Sequence, residues 1–265
     1  MNDTFYAPNP WHGKKIVWLG TSVPYGSNTF DGRSYASIAA HALGCTLVPA
    51  AVPGQAIHAK RENGALHPLT YGSTALTRAE YAAAGWSIPE APITPWLPGS
   101  ENNAEHPGPG YNDYYRTWEH IFPLHPDADL YVFDVAPNNT DFGMDDWNAF
   151  DTENWVYRDG SSFADHRTTF LGALLYLMDK MYDAQPQARM ALVLGSAFAY
   201  EAARSAFDLL QQTWHIPVID LWGRVNTSPR SLTQLRSKNG TDAHPSDFGH
   251  RVLGQVLTQE LLRIG

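Results

Sequence analysis

The chain has 265 residues, 43% of them hydrophobic, which is enough to build one large domain around a buried core. Lys and Arg total 18 against 27 Asp and Glu, so the formal charge is −9. This charge argues against a surface that holds nucleic acid or anionic lipid by counterion release, and against a polyanionic substrate held by electrostatics alone.

The cysteine content and the distribution of apolar residues indicate whether disulfides, a signal peptide or a membrane span are to be expected. Cys45 is the single cysteine, so no internal disulfide can form, and we interpret it as a small apolar core residue. The first twelve residues have no basic start followed by an apolar run, and no eighteen apolar residues are consecutive. We therefore expect neither a signal peptide nor a membrane span, which leaves open a cytoplasmic, phage or extracellular location.

Short apolar runs bounded by Gly or Pro predict five buried strands, and helical periodicity predicts helices between and after them. The predicted strands span residues 14–20, 46–52, 129–136, 189–196 and 216–222. The predicted helices span about 32–43, capped by Asp31, then 165–182, 200–214 and 246–264, the last capped by Ser246. Such alternation predicts a doubly wound, flavodoxin-like α/β/α sandwich with a mostly parallel five-stranded sheet, as one domain over residues 1–265.

Two segments interrupt this alternation. The segment from about residue 55 to residue 126 is rich in Pro, Gly, Asn and aromatic side chains. We predict an irregular insertion there, with a short helix near 76–84. A second, acidic loop that carries tryptophans is predicted at about 142–162. Both segments lie between predicted elements of the sandwich, so we place them on its surface.

Polar residues of the types that ester hydrolysis needs follow the predicted strands. In parallel sheets, reactive groups collect beyond the carboxyl ends of the strands, where loops and helix starts converge. The residues at these positions are Ser22, Gly54, Asn138, Asn139, Asp242 and His244.

A serine esterase needs a nucleophile, a base, a group that orients the base, and donors for the oxyanion. Ser22 is the candidate nucleophile, His244 the base, and Asp242 the residue that orients the imidazole. The backbone N–H groups of Ser22 and Gly54, with the Asn138 amide, are the candidate oxyanion donors. Taken singly, these residues could also cap helices or form turns. Histidines at metal-ligand spacing are not found, so we predict no metal and no cofactor.

Four stretches of the sequence resemble the motif blocks of the SGNH/GDSL hydrolases. They are Gly20-Thr21-Ser22, Gly54, Ala136-Pro137-Asn138-Asn139 and Asp242-Ala243-His244-Pro245-Ser246. The resemblance extends from the first strand to the last helix. It implies an α/β/α sandwich and ester hydrolysis, with Ser22 as nucleophile, Gly54 and Asn138 as oxyanion donors, and His244 as base.

The sequence departs from the family pattern at three places. Thr21 replaces the usual aspartate before the serine, and Ala136-Pro137-Asn138-Asn139 replaces Gly-x-Asn-Asp, which leaves Asn138 and Asn139 as alternatives. The family spacing Asp-x-x-His is Asp242-x-His244 here. Either the Asp242 carboxylate or a backbone carbonyl therefore orients the imidazole.

The irregular segments suggest the substrate class, because exposed aromatic rings and amides suit sugars better than acyl chains. The candidate substrate contacts are Asn139, Trp86, Trp96, Tyr115, Trp147 and Trp155. Alternatively, the tryptophans pin long loops to the core. We predict an O-acetylesterase acting on an acylated small molecule or an oligo- or polysaccharide. A lipase, a thioesterase, an acyltransferase and a noncatalytic carbohydrate-binding module remain alternatives, and the sequence does not indicate an oligomeric state.

Overall fold

The computed structural model describes residues 9–27, 29–30, 32–51, 57, 61–62, 65–66, 115–134, 149–167, 169–196 and 200–265. The strands in chain order are β1 (Lys15–Gly20), β2 (Thr46–Ala51), β3 (Arg61–Glu62), β4 (Ala65–Leu66), β5 (Leu130–Asp134), β6 (Phe150–Asp151), β7 (Val156–Tyr157), β8 (Met190–Leu194) and β9 (Val218–Asp220). The helices are α1 (Ser22–Tyr25), α2 (Tyr35–Leu43), α3 (Tyr115–Leu124), α4 (Phe170–Ala184), α5 (Tyr200–Trp214), α6 (Pro229–Leu235), α7 (Ser237–Gly240) and α8 (Asp247–Ile264), with 3₁₀ turns at Phe163–His166 and Trp222–Arg224.

Five strands form one parallel sheet in the order β2-β1-β5-β8-β9. Each strand lies within its predicted range, and the predicted fold class is confirmed. β2, which follows β1 in the chain, pairs with one edge of β1, and β5 pairs with the other edge. The order therefore reverses between β1 and β5, which opens a crevice beyond their carboxyl ends.

The sheet buries both faces, and alternate residues of each strand point to opposite sides. One side packs Val17, Leu19 and Phe133 against α3, α4 and α5. The other side packs Trp18 and Val132 against α2 and α8. Such strands are mostly apolar: all five residues of β5 and of β8 are buried, and Asp134 is the one charged residue among them.

Polar side chains cap the helices that lead away from the crevice. Ser34 caps α2 by accepting a hydrogen bond from the Ser37 amide, whereas the predicted cap, Asp31, lies outside the described residues. Both Asp31 and Ser34 precede the apolar face, and the actual helix begins at Tyr35, one residue after Ser34. Ser246 caps α8 as predicted, because its hydroxyl accepts from the Gly249 amide.

Regular structure occurs where the sequence predicted irregular segments. Helix α3 lies within the predicted insertion and buries Trp118, Ile121 and Phe122 against the sheet. The antiparallel pair β3-β4 lies in the same segment, and the pair β6-β7 lies in the predicted acidic loop. Residues 76–84, where a short helix is predicted, are outside the described residues. Within the part of the chain that the structure describes, no helix has the length and apolar character to cross a membrane.

Candidate active site

Ser22 lies at the carboxyl end of β1, at the first position of α1. Two glycines allow this sharp turn. A side chain at Gly20 would overlap the Pro24 ring, which packs against the strand end. Gly26 ends α1 in the left-handed conformation with φ 87°, which glycine adopts without strain. The turn thereby holds the Ser22 hydroxyl at the edge of the sheet, with the residue 8% exposed.

His244 lies in the turn between α7 and α8. Its carbonyl accepts a hydrogen bond from the Ser237 amide at 2.9 Å, and the Ser246 amide donates to the Leu235 carbonyl at 2.8 Å. The Arg236 guanidinium donates to the Asp242 carbonyl at 2.5 Å. These backbone contacts fix the turn against α6 and α7, so the imidazole position is set before the last helix begins.

The three predicted side chains meet at the carboxyl edge of the sheet. His244 Nε2 lies 2.8 Å from Ser22 Oγ, and His244 Nδ1 lies 2.6 Å from Asp242 Oδ1. The His244 side chain is 22% exposed and that of Asp242 is 10% exposed. The Nδ1 atom therefore faces the Asp242 carboxylate, one of the two alternatives that the sequence leaves open.

The Asp242 carboxylate accepts several hydrogen bonds. Its Oδ1 also accepts from the His244 backbone amide at 3.1 Å, and its Oδ2 lies 3.0 Å from the Lys238 ammonium. Burial by itself raises the pKa of Asp242, but the hydrogen bonds from His244 and Lys238 outweigh burial and hold the pKa well below its ordinary value. The group facing the imidazole is thus an anion at neutral pH.

A buried polar cluster that the sequence did not predict lies at the same edge of the sheet. Asp134, the last residue of β5, is fully buried, and its Oδ2 accepts hydrogen bonds from the Tyr35 hydroxyl and the Trp18 indole. Burial raises the pKa of Asp134 to about 7, although these hydrogen bonds oppose the shift. Asp134 pairs in register with Gly20, two residues before Ser22.

Most of the other predicted site residues are outside the described residues. They are Gly54, Asn138, Asn139, Trp86, Trp96 and Trp147. Tyr115 is the first residue of α3. The predicted oxyanion donors Gly54 and Asn138 and the predicted sugar contacts in these segments therefore stay predictions.

Trp155 lies away from the crevice. Its ring packs against those of Phe150, Tyr182 and Trp214, and its indole nitrogen donates to Asp179 Oδ1 at 3.1 Å. Tyr182 and Trp214 lie in the last turns of α4 and α5, which lead into the starts of β8 and β9. The ring is thus near the amino ends of these strands, opposite Ser22. This placement favours loop pinning over the predicted sugar contact.

Comparison with solved structures identifies the fold, whereas no family model and no curated protein matches the sequence. The native aryl esterase of M. smegmatis matches with a TM-score of 0.52 and 10% identity, over 96% of this chain and 100% of that chain. A structure described as a GDSL-like lipase from Bacteroides ovatus matches with a TM-score of 0.48 and 13% identity, over 96% and 99%. A family two carbohydrate esterase from Clostridium thermocellum, in complex with cellohexaose, matches with a TM-score of 0.47 and 15% identity, over 95% and 64%.

At these identities the similarity identifies a fold and leaves the reaction open. The chain has the fold of the SGNH/GDSL hydrolases, an α/β/α sandwich around a parallel five-stranded sheet. The predicted resemblance in fold is therefore confirmed.

Proposed function

We propose that the protein is a serine esterase that hydrolyses carboxylic esters through an acyl-enzyme. The observation that carries this proposal is the hydrogen-bonded chain from Ser22 Oγ through the His244 ring to the Asp242 carboxylate. A hydroxyl, an imidazole and a carboxylate in this order form the charge arrangement that makes a serine nucleophilic at neutral pH.

In the proposed reaction, Ser22 Oγ attacks the ester carbonyl carbon while His244 Nε2 accepts the hydroxyl proton. When the tetrahedral intermediate collapses, the imidazolium gives this proton to the leaving alcohol, and the acyl group stays on Ser22. Water then enters, His244 accepts its proton, and a second collapse releases the acid and restores the serine. Asp242 holds the ring in the required tautomer and stabilises the imidazolium at both stages.

The oxyanion of each intermediate needs hydrogen-bond donors near Ser22. The Ser22 backbone N–H is at the first position of α1, where helical geometry provides no intrahelical acceptor, so this group is available to an oxyanion. Gly54 and the Asn138 amide are the further donors that we propose, from the resemblance of their motif blocks. Asn139 is the alternative to Asn138.

For the substrate, we propose small acyl groups, acetyl above all, on the hydroxyls of a carbohydrate. The aromatic and amide side chains concentrated between residues 86 and 115 support this choice. A lipase or thioesterase would instead prefer long acyl chains. A series of nitrophenyl esters from two to twelve carbons separates these alternatives, because an acetylesterase loses kcat/KM steeply as the chain lengthens.

The direct test is hydrolysis of nitrophenyl acetate by the wild-type protein and two serine variants. Ser22→Ala should lower kcat by several orders of magnitude, as loss of a triad nucleophile does. Ser27→Ala is the matched control, because Ser27 ends the same turn and its amide bonds the Ser22 carbonyl. Unchanged turnover in Ser22→Ala would exclude the proposed mechanism. Glycan binding without any turnover in the wild type would favour a noncatalytic binding module.

A further inference from the structure

A cavity of about 410 Å³ lies between α2 and α8. Its volume falls within the range of about 300–1,000 Å³ in which proteins bind small ligands. The lining residues come from the segment before α2 and from the two helices: Arg33, Ser37, Ile38, His41, Asp247 and Arg251. None of these residues has a role in the proposed ester hydrolysis.

Basic side chains form part of the cavity lining. Two guanidinium groups, Arg33 and Arg251, line it together with the His41 ring, whereas Asp247 is the one carboxylate among the lining residues that the structure describes. Arg251 is exposed, and in the described part of the chain it has no ion-pair partner. Asp247 lies one helical turn before it, yet Asp247 Oδ1 accepts from the Phe30 amide at 3.0 Å. The arginine is therefore available to an anionic ligand.

Two exposed aromatic residues are neighbours of residues that line the cavity. Phe30 is 96% exposed, and its amide donates a hydrogen bond to Asp247, which lines the cavity. Phe248 is 47% exposed and, three residues before Arg251, it is a neighbour of that arginine on the surface of α8. Exposed phenyl rings provide an apolar surface against which the C–H face of a pyranose can pack.

The position of the cavity ties it to the proposed active site. Asp247 follows His244 by three residues, so their Cα atoms are at most about 11 Å apart. A sugar unit in the cavity could therefore belong to the same oligosaccharide as an ester at Ser22.

We propose that this cavity is a subsite for a hexuronate unit of the acylated glycan, an inference that rests on the proposed function for its role in catalysis. The guanidinium of Arg251 binds the sugar carboxylate, a geometry that suits a planar fork of donors. Asp247 accepts hydrogen bonds from the sugar hydroxyls, and Phe30 and Phe248 contact the apolar face. The Asp247 carboxylate disfavours a phosphate dianion in the same space.

The test is the binding of simple sugars to the wild-type protein, measured by calorimetry or NMR at low ionic strength. Galacturonate and glucuronate should bind at least about tenfold more tightly than galactose and glucose, because a charge-assisted hydrogen bond is lost with the neutral sugars. Arg251→Gln should abolish this preference, and Arg251→Lys should restore part of it. Arg158→Gln is the matched control, since this exposed arginine directly follows β7, on the opposite side of the sheet.

Several results would overturn the inference. They are equal affinity for charged and neutral sugars, an unchanged preference in a folded Arg251→Gln protein, and displacement of the uronate by inorganic phosphate at equal or lower concentration. These sugars carry no ester, so their binding does not depend on turnover. An active esterase that binds no hexuronate overturns the subsite alone. An inactive protein that binds hexuronates overturns the proposed function and leaves the cavity as a sugar-binding site.

Discussion

The Tyr35 hydroxyl donates a hydrogen bond to the Asp134 carboxylate, and both side chains are completely buried. Tyr35 begins α2, and Asp134 ends β5, beside the strand that leads to Ser22. The contact thus joins a helix on one face of the sheet to the edge that carries the proposed nucleophile. Burial raises the pKa of Asp134 to about 7, so this link titrates in the physiological range.

The raised pKa predicts a specific dependence of stability on pH. Between about pH 4 and pH 7 the folded protein keeps the Asp134 proton that the unfolded chain has lost. The contribution of this group is therefore complete below pH 4 and declines as pH rises through 7, on the order of 4 kcal/mol in all. Asp134→Asn should lack this decline when urea unfolding is measured from pH 4 to pH 8.

The control for this measurement is Asp127→Asn. The Asp127 side chain is exposed, and its hydrogen bond with Lys15 lowers the pKa, so its titration lies below the same pH window. This variant should keep the wild-type slope. Parallel curves for wild type and Asp134→Asn would contradict the assignment of the pH dependence to the buried carboxylate.

Gly195 has no room for a side chain. A Cβ there would overlap the Tyr35 hydroxyl and the Asp134 carboxylate. We expect Gly195→Ala to lower the free energy of unfolding by about 1–3 kcal/mol, as overpacking of a core does. At Gly160 the surrounding space is open within 4 Å and only the positive φ of 77° opposes a side chain. Gly160→Ala should therefore cost less in the same denaturation assay, and the reverse order would contradict the packing at Gly195.

Variants of Asp242 and Lys238 distinguish the effect of orienting the imidazole from the effect of nearby charge. Asp242→Asn removes the anion that faces His244 Nδ1, and we expect kcat for nitrophenyl acetate to fall by about two to four orders of magnitude. Lys238 contacts the same carboxylate but is largely exposed, so Lys238→Gln should change kcat only a few-fold. Comparable losses in both variants would mean that net charge, rather than ring orientation, matters at this position.

Ser246 connects the active-site turn to the last helix. Its hydroxyl accepts from the Gly249 amide at 3.0 Å and donates to the Gln234 carbonyl at 2.5 Å. Ser246→Ala should lower the free energy of unfolding by about 1 kcal/mol, typical for loss of an N-cap. Thr at this position retains both hydrogen-bonding capacities, so Ser246→Thr should recover most of the loss in thermal unfolding. Equal stability of wild type and Ser246→Ala would exclude a capping role.

The sheet was predictable because its central strands are buried on both faces and are therefore mostly apolar. β5 and β8 stand out in the sequence between polar turns, and their alternation with helices implies parallel pairing. Ser22 and His244 were predictable for a related reason, since parallel strands place the residues that follow them at one edge. The order of elements thus fixed the neighbourhood of the site before any distance was known.

Other features depend on partners that are distant in sequence. Helix α3 buries Trp118, Ile121 and Phe122, but Pro123 inside its last turn and the Pro-rich residues before it hide the periodicity. Asp134 resembles an ordinary polar strand end, and only folding brings the Tyr35 hydroxyl and the Trp18 indole to it. Trp155, which the sequence places in a surface loop, packs in an aromatic cluster whose members come from four segments of the chain.

The central claim is that Ser22 is a nucleophile activated by His244, which is 222 positions away in sequence and 2.8 Å away in space. The most direct measurement is mass spectrometry of the protein after reaction with a fluorophosphonate. We expect one adduct per chain on the peptide that contains Ser22, and a labelling rate that falls at least about a hundredfold in His244→Ala. Labelling at another serine, or equal rates in wild type and His244→Ala, would contradict this account.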